Sequence, residues 1–375
     1  MKICLYARNF PPNGDRFDGG LMKAVHGLAS AFVQHGAEVI VACSGRQDST
    51  FKTFNGYEIR CFARNKSQRL GFAPSPSLSR FIAGCDKSTI FILNGVFSPD
   101  TYAVSRACIR NKLRYYCWPH DPFTSDLFAK KAYAKWPHWY LRDRPMLRGA
   151  RGIQVFDRKH AELLQGLGVG TPTIEIDNGF DPVDAISESE LRWDDDNTPS
   201  LVYLGRIDYY NKSLDVLLDA FAELMNESDA NLTIQGPDNG DLAFLKARAE
   251  ALCLTSDRVQ FNAPQFDRTA SQILIDHDVF LLPSRFEGFA LAALEAMVAG
   301  RVLMVSEING IAKHVEAVGC GVVVKPEKES VKAGFRRLME MRSQWKAMGL
   351  AGRNHALAYF RWDRIAGELL AWYER

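Results

Sequence analysis

Twice along this chain a short apolar strand runs into a glycine-bearing connection and then into a helix with apolar residues at helical spacing. The first instance is Lys2 to Tyr6, the connection ARNFPPNGDRFDGG and the helix Leu21 to Gln34, which leads through His35-Gly36 as a C-cap into a strand at Glu38 to Ala42. The second is Leu201 to Leu204, a turn at Gly205 and the helix Leu214 to Leu224. Strands alternating with helices in this way build a parallel sheet with helices on its faces. Further strands are expected at Ile90 to Asn94, Arg114 to Trp118 and Thr173 to Ile176 in the first half, and at NLTIQ, VQF and Phe280 to Leu282 in the second. A length of 375 residues is too great for one ordinary core. The join falls in DNGFDPVDAISESELRWDDDNTPS, whose acidic run Asp194 to Asp196 reads as a solvated linker. The expectation is therefore α/β, with Rossmann-like units at 1–185 and 186–358 and a terminal helix at 359–375.

No apolar run approaches the length of a membrane span, and MKICLYARNF enters strand-like sequence without a leader's apolar stretch, so a cytoplasmic location is expected. The eight cysteines are scattered and form no Cys-x-x-Cys pair. They read as buried thiols of a reducing compartment, with no disulfide framework and no metal site. The net charge of +2 hides a division: up to residue 185 there are 25 Lys and Arg against 16 Asp and Glu, a net of +9, and beyond it 21 against 28, a net of −7. Much of the basic excess lies in residues 128–151, where Lys130, Lys131, Lys135, Arg142, Arg144, Arg148 and Arg151 face Asp143 alone. Tyr133, Trp136, Trp139 and Tyr140 are interleaved. Such a segment suits the surface of an anionic membrane, making the protein peripheral to its inner face, or a cradle for a lipid-linked diphosphate. It reads equally as a helical hairpin whose aromatics are core, because Pro137 and Pro145 interrupt the stripe. No nucleic-acid partner is expected.

The stretch FLLPSRFEGFALAALEAMVAG, residues 280–300, sets Glu287 and Glu295 on either side of a glycine turn and a helix start. It lies at a strand's carboxyl end, where open parallel sheets bind ligands, and free N–H groups at Phe289, Ala290 and Leu291 would suit a phosphate. Pro283, Ser284, Glu287, Gly288, Phe289, Leu294, Glu295, Ala296, Met297 and Gly300 together resemble the E-x7-E signature of retaining glycosyltransferases of family 4. Ala290 departs from that pattern, which usually has Gly. The resemblance implies the GT-B architecture: two Rossmann-like domains facing each other across a cleft, the second holding a nucleotide sugar, the first the acceptor, and a C-terminal helix crossing back to the first.

Other segments agree with it in order. Gly19 and Gly20 resemble a family diglycine in the first connection, where backbone approaches the donor. His120, with Asp121 beside it, follows a strand's carboxyl end where the family has a histidine that contacts the transferred sugar. Arg206 and Lys212 resemble the family's diphosphate clamp, with Ser213 in place of a second glycine; Lys313 stands where the family commonly has Glu. The resemblance implies a metal-independent hexosyltransferase using a UDP- or GDP-sugar, without a further cofactor, in cell-surface polysaccharide or glycolipid synthesis. Glu287 and His120 would position the sugar, while Glu295 would hold the ribose and Gly288 the turn. A glycan, a lipid-linked molecule or a small molecule would be the acceptor. A sugar-nucleotide epimerase of the same fold and an inactive nucleotide-sugar-binding protein are the alternatives.

Overall fold

The structure, a computed structural model, describes all residues except 14–18, 65–72, 121–124, 129–131, 194–197 and 226. Asp121, Lys130, Lys131 and the acidic run Asp194 to Asp196 lie outside the described residues. The chain divides into two compact units, Met1–Gly179 with Trp362–Arg375, and Phe180–Arg361.

In the first unit the strands are β1 (Lys2–Tyr6), β2 (Glu38–Gly45), β3 (Ser49–Lys52), β4 (Glu58–Ala63), β5 (Ile90–Asn94), β6 (Arg114–Trp118), β7 (Ile153–Val155) and β8 (Thr173–Glu175). They form one sheet in the order β3-β4-β2-β1-β5-β6-β7-β8. All pairings are parallel except β3 with β4. β5 is buried along its whole length, as expected for a strand covered on both faces. The edge strand β3 is exposed throughout and carries no apolar alternation, which is why the periodic pattern does not announce it.

In the second unit β9 (Ser200–Leu204), β10 (Asn231–Gln235), β11 (Val259–Asn262), β12 (Val279–Leu282), β13 (Val302–Ser306) and β14 (Gly321–Val324) are all parallel, in the order β11-β10-β9-β12-β13-β14. β12 and β13 are buried throughout. Both sheets are doubly wound. Each reverses direction beside its first strand, between β1 and β5 and between β9 and β12, and leaves a crevice at the carboxyl ends there.

The terminal helix Trp362–Tyr373 belongs to the first unit. Its Trp362 ring occupies the space above Gly27 of the helix Gly20–Gln34, where a Cβ would lie 2.1 Å from the indole nitrogen. Tyr373 packs on Phe32 and Tyr116, with ring centroids 6.3 and 4.5 Å away.

The basic aromatic segment is helical past both prolines. The helix Ala132–His138 contains Pro137 and passes into a π-turn, Trp139–Asp143; the helix Arg144–Gly149 follows with Pro145 in its first turn. Prolines remove N–H donors, and the run stays helical through the wider turn between the two that interrupt its stripe. Among the described residues no helix is long and apolar enough to cross a membrane.

Candidate active site

The connections leaving β9 and β12 meet at the crevice of the second unit. The backbone N–H groups of Arg285 and Phe286, after β12, donate to the Asn211 carbonyl, after β9, at 2.9 and 3.2 Å. The Arg285 guanidinium forks onto Asp215 at 2.8 and 3.0 Å, donates to the Tyr210 carbonyl at 3.1 Å and lies over the Tyr210 ring at 5.1 Å. A bidentate pair of this kind fixes orientation as well as distance. Neither Arg285 nor Asp215 is singled out by sequence reasoning. Their pairing spans 70 positions, and no local pattern signals it.

On that frame Lys212 Nζ donates to Glu287 Oε2 at 2.5 Å, with both side chains mostly buried. Two of the expected site residues, one from each connection, are thereby brought into contact. An ammonium has three donors, so Lys212 keeps hydrogens to offer a second anion. Arg206 is exposed, and among the described residues its guanidinium makes no ion pair. Its carbonyl accepts from the buried Tyr203 hydroxyl at 2.6 Å. Burial raises the Tyr203 phenol well above its ordinary value; the nearby Glu287 charge raises it further and the Arg206 charge opposes this. Arg206 and Glu287 therefore both lie within electrostatic reach of one buried hydroxyl.

Glycine is required beneath this loop at Gly236, where a Cβ would sit 1.8 Å from the Gly205 carbonyl oxygen. Ser213, which caps the helix Leu214–Leu224, adopts left-handed backbone angles (φ 55°, ψ 35°). That geometry accounts for a glycine preference at the position.

At the helix Leu291–Val298 the structure corrects one expectation. The Ala290 N–H is not free: it donates to Asn309 Oδ1 at 3.2 Å, and the same oxygen accepts from the Ile311 N–H at 3.2 Å. Phe289 is buried, its ring 5.7 Å from Phe360. The first turn from Leu291 has neither a capping side chain nor an acid to occupy its N–H groups, so its dipole still faces the crevice uncompensated. Gly288 accepts from the Gly310 N–H at 2.8 Å, and Glu295 is buried one turn into the helix. Lys313 is exposed on the helix Ala312–Val318.

Around the same crevice, Ser213 Oγ, Ser284 Oγ, Ser306 Oγ and Asn309 Nδ2 are buried without a hydrogen-bond partner in the protein. Buried polar groups are normally paired. These four lie in or after the carboxyl ends of β9, β12 and β13 in the chain. Ser306 and Asn309 lie outside the motifs that the sequence announces.

In the first unit His120 follows β6. Its Nε2 lies 2.8 Å from Asn94 Oδ1, and Asn94 Nδ2 donates to the Tyr6 carbonyl at 3.1 Å. With the amide oriented by Tyr6, its oxygen is the acceptor; His120 therefore carries its proton on Nε2 and presents Nδ1 as an acceptor. The backbone at His120 is left-handed (φ 61°), and the ring rests on Trp118 at 4.2 Å. Burial holds the imidazole down to about 3, so it is neutral near pH 7. Gly19 precedes the helix Gly20–Gln34, and a Cβ on Gly19 would meet nothing within 4 Å, so packing does not explain a glycine there.

The family described as "Glycosyl transferases group 1" matches residues 188–355. A D-inositol 3-phosphate glycosyltransferase of Jonesia denitrificans is 29% identical over 47% of this chain and 42% of its own length. The MMP alpha-(1->4)-mannosyltransferase of Mycolicibacterium hassiacum is 28% identical over 68% of this chain and 64% of its own. The chain thus spans about half the length of these curated relatives. An uncharacterized glycosyltransferase of Methanocaldococcus jannaschii aligns over 100% of this chain and 98% of its own at 22% identity. Among solved structures, a sucrose-phosphate synthase from Thermosynechococcus elongatus superposes with a TM-score of 0.79 at 17% identity, over 100% of this chain and 98% of that one. Anabaena HepE in complex with UDP superposes with a TM-score of 0.75 at 15% identity, over 99% of each chain.

Proposed function

Because this chain belongs with the group 1, family 4-type glycosyl transferases through residues 188–355 and has the GT-B fold throughout, we propose that it moves a hexose from a UDP- or GDP-sugar to an acceptor hydroxyl with retention of configuration. The observation that carries this reading is the Lys212–Glu287 pair at the β9/β12 crevice, beside an exposed Arg206 and an uncapped helix start. Cleavage of a sugar–phosphate bond develops negative charge on the departing diphosphate. Fixed positive charge there lowers the barrier. Arg206 and Lys212 would supply it with the first turn from Leu291, Glu287 holding Lys212 in place and contacting the sugar. Glu295 would bind the ribose. From the first unit, neutral His120 would accept a hydrogen bond from a sugar hydroxyl at Nδ1, and backbone at Gly19 and Gly20 would approach the donor. Cell-surface polysaccharide or glycolipid synthesis is the setting we assign to such a transfer. UDP in the related HepE structure makes uridine donors the first to try.

The reading is tested by thermal shift and slow donor hydrolysis across UDP- and GDP-sugars, with and without EDTA. The expected result is one donor that stabilises the protein and is hydrolysed equally well with the chelator. In Lys212→Ala or Glu295→Ala, affinity or turnover would fall by about an order of magnitude or more, each lost charge-assisted contact weighing about 1.5–3 kcal/mol. No response to any nucleotide sugar would overturn the proposal; binding without hydrolysis or transfer would leave a nucleotide-sugar-binding protein.

A further inference from the structure

The helical run from Ala132 to Gly149 carries apolar side chains on its solvent face as well as on its buried one. His138, Asp143 and Arg144 keep helical backbone angles where its three parts join. Its inward face is closed by Trp139, Met146 and Leu147, all buried. Its outward face carries Tyr133 (83% exposed), Trp136 (36%), Tyr140 (56%) and Leu141 (69%). Tyr133 and Trp136 lie three apart on the α-helical part, and Tyr140 and Leu141 follow in the wider turn. Trp136 stacks on Phe128 at 3.9 Å between centroids and on Tyr140 at 5.7 Å, so the stripe is an ordered aromatic ledge. Contiguous exposed apolar surface of this kind marks an interaction site.

Charge decides the partner. Asp143, the sole acid in residues 128–151, is fully buried. Its oxygens accept from the Phe97 N–H at 3.2 Å and lie 3.0 Å from His138 Nδ1. The outward surface of the run therefore offers cations without acids. The half-buried Arg144 guanidinium lies over the Tyr140 ring at 5.8 Å, and the cations that reach the surface are Arg148 and, further on, Arg151. The helix Pro99–Arg110 joins the same surface: its exposed Ile109 reaches within 3.5 Å of the position a Gly149 Cβ would take. Exposed Arg106, Arg110 and Lys112 accompany it. A second copy of the chain docking here by two-fold symmetry would set arginine against arginine.

We propose that this ledge and its arginines dock the first unit on the surface of an anionic lipid bilayer. The aromatic rings would lie at headgroup depth, Leu141 would enter the acyl boundary, and the guanidinium groups would pair with lipid phosphates. Nothing in this depends on the transferase reading.

The test is flotation of the full-length protein with vesicles of phosphatidylcholine alone and with phosphatidylcholine and phosphatidylglycerol at about 7:3. We expect binding to the mixed vesicles only, weakened by added salt. Tyr133→Ser with Leu141→Ser, and separately Arg148→Gln with Arg151→Gln, should each lower the partition coefficient about tenfold. All four side chains are exposed, so the unfolding midpoint should be unchanged. Failure to bind mixed vesicles, or binding that neither pair of substitutions weakens, would overturn the proposal. So would a solution dimer that Tyr133→Ser with Leu141→Ser converts to monomer, since the face would then belong to a second copy.

Discussion

At the scale of single residues, two positions combine an unfavourable state with a site. Ser213 holds left-handed backbone angles and a buried hydroxyl without a partner. A non-glycine residue there costs about 1–2 kcal/mol. Ser213→Gly is accordingly expected to raise the unfolding midpoint, with a gain of about 1 kcal/mol once glycine's greater unfolded freedom is counted; an unchanged or lower midpoint in a denaturation curve would contradict this. His120 is the second. Folded, it stays neutral down to about 3, whereas the unfolded chain protonates it near the ordinary 6.5. Between those values the unfolded state binds more protons, so this group makes stability fall as pH drops. His277, held at about 4 by burial, acts in the same sense. Denaturation curves of His120→Asn across this window should show a shallower loss than wild type. Since His120 does not titrate near neutrality, the same substitution should lower transfer without moving the acidic limb of the activity profile.

At the scale of elements, the crevice of the second unit is assembled by contacts between two connections that are remote in sequence. Arg285 and Asp215 brace them, and Lys212 and Glu287 meet on the brace. Arg285→Lys keeps the charge but loses the fork, so the Glu287-bearing connection is less well positioned. Kinetics should show an increase in KM of about tenfold with a smaller change in kcat, because a misplaced clamp weakens donor binding by roughly 1.4 kcal/mol. Equal losses of KM-independent turnover and of melting temperature would instead make Arg285 a stability residue. The π-turn Trp139–Asp143 shows the converse case of an element that local rules describe poorly. Pro137 and Pro145 interrupt the stripe in sequence, and the run passes between them through a wider turn that buries Trp139 and Asp143.

At the scale of the molecule, the terminal helix ties the chain's end to its beginning. Trp362, Ile365, Leu369 and Tyr373 are buried in the first unit. At about 1.5–3 kcal/mol each, their burial is comparable with the whole stability of a domain, about 5–15 kcal/mol. Truncation after Arg361 should therefore unfold residues 1–179 while 180–361 stays resistant to proteolysis. Loss of both units together would show that the helix also supports the second. Strands such as Lys2–Tyr6, Ile90–Asn94 and Arg114–Trp118, the restarted strand-helix pattern, and the E-x7-E stretch with its glycine turn are written locally in the chain, the three strands with their observed bounds. Apolar period and turn chemistry act over a few residues, so one chain displays them. Tertiary structure alone decided which side chains meet. Lys212 finds Glu287 across 75 positions, Asn94 turns His120 into an acceptor across 26, and Asn309 takes the Ala290 N–H across 19. It also decided which aromatics of residues 128–151 are core and which face solvent. Those outcomes depend on strand order and burial, which bring distant residues together only once both sheets are wound.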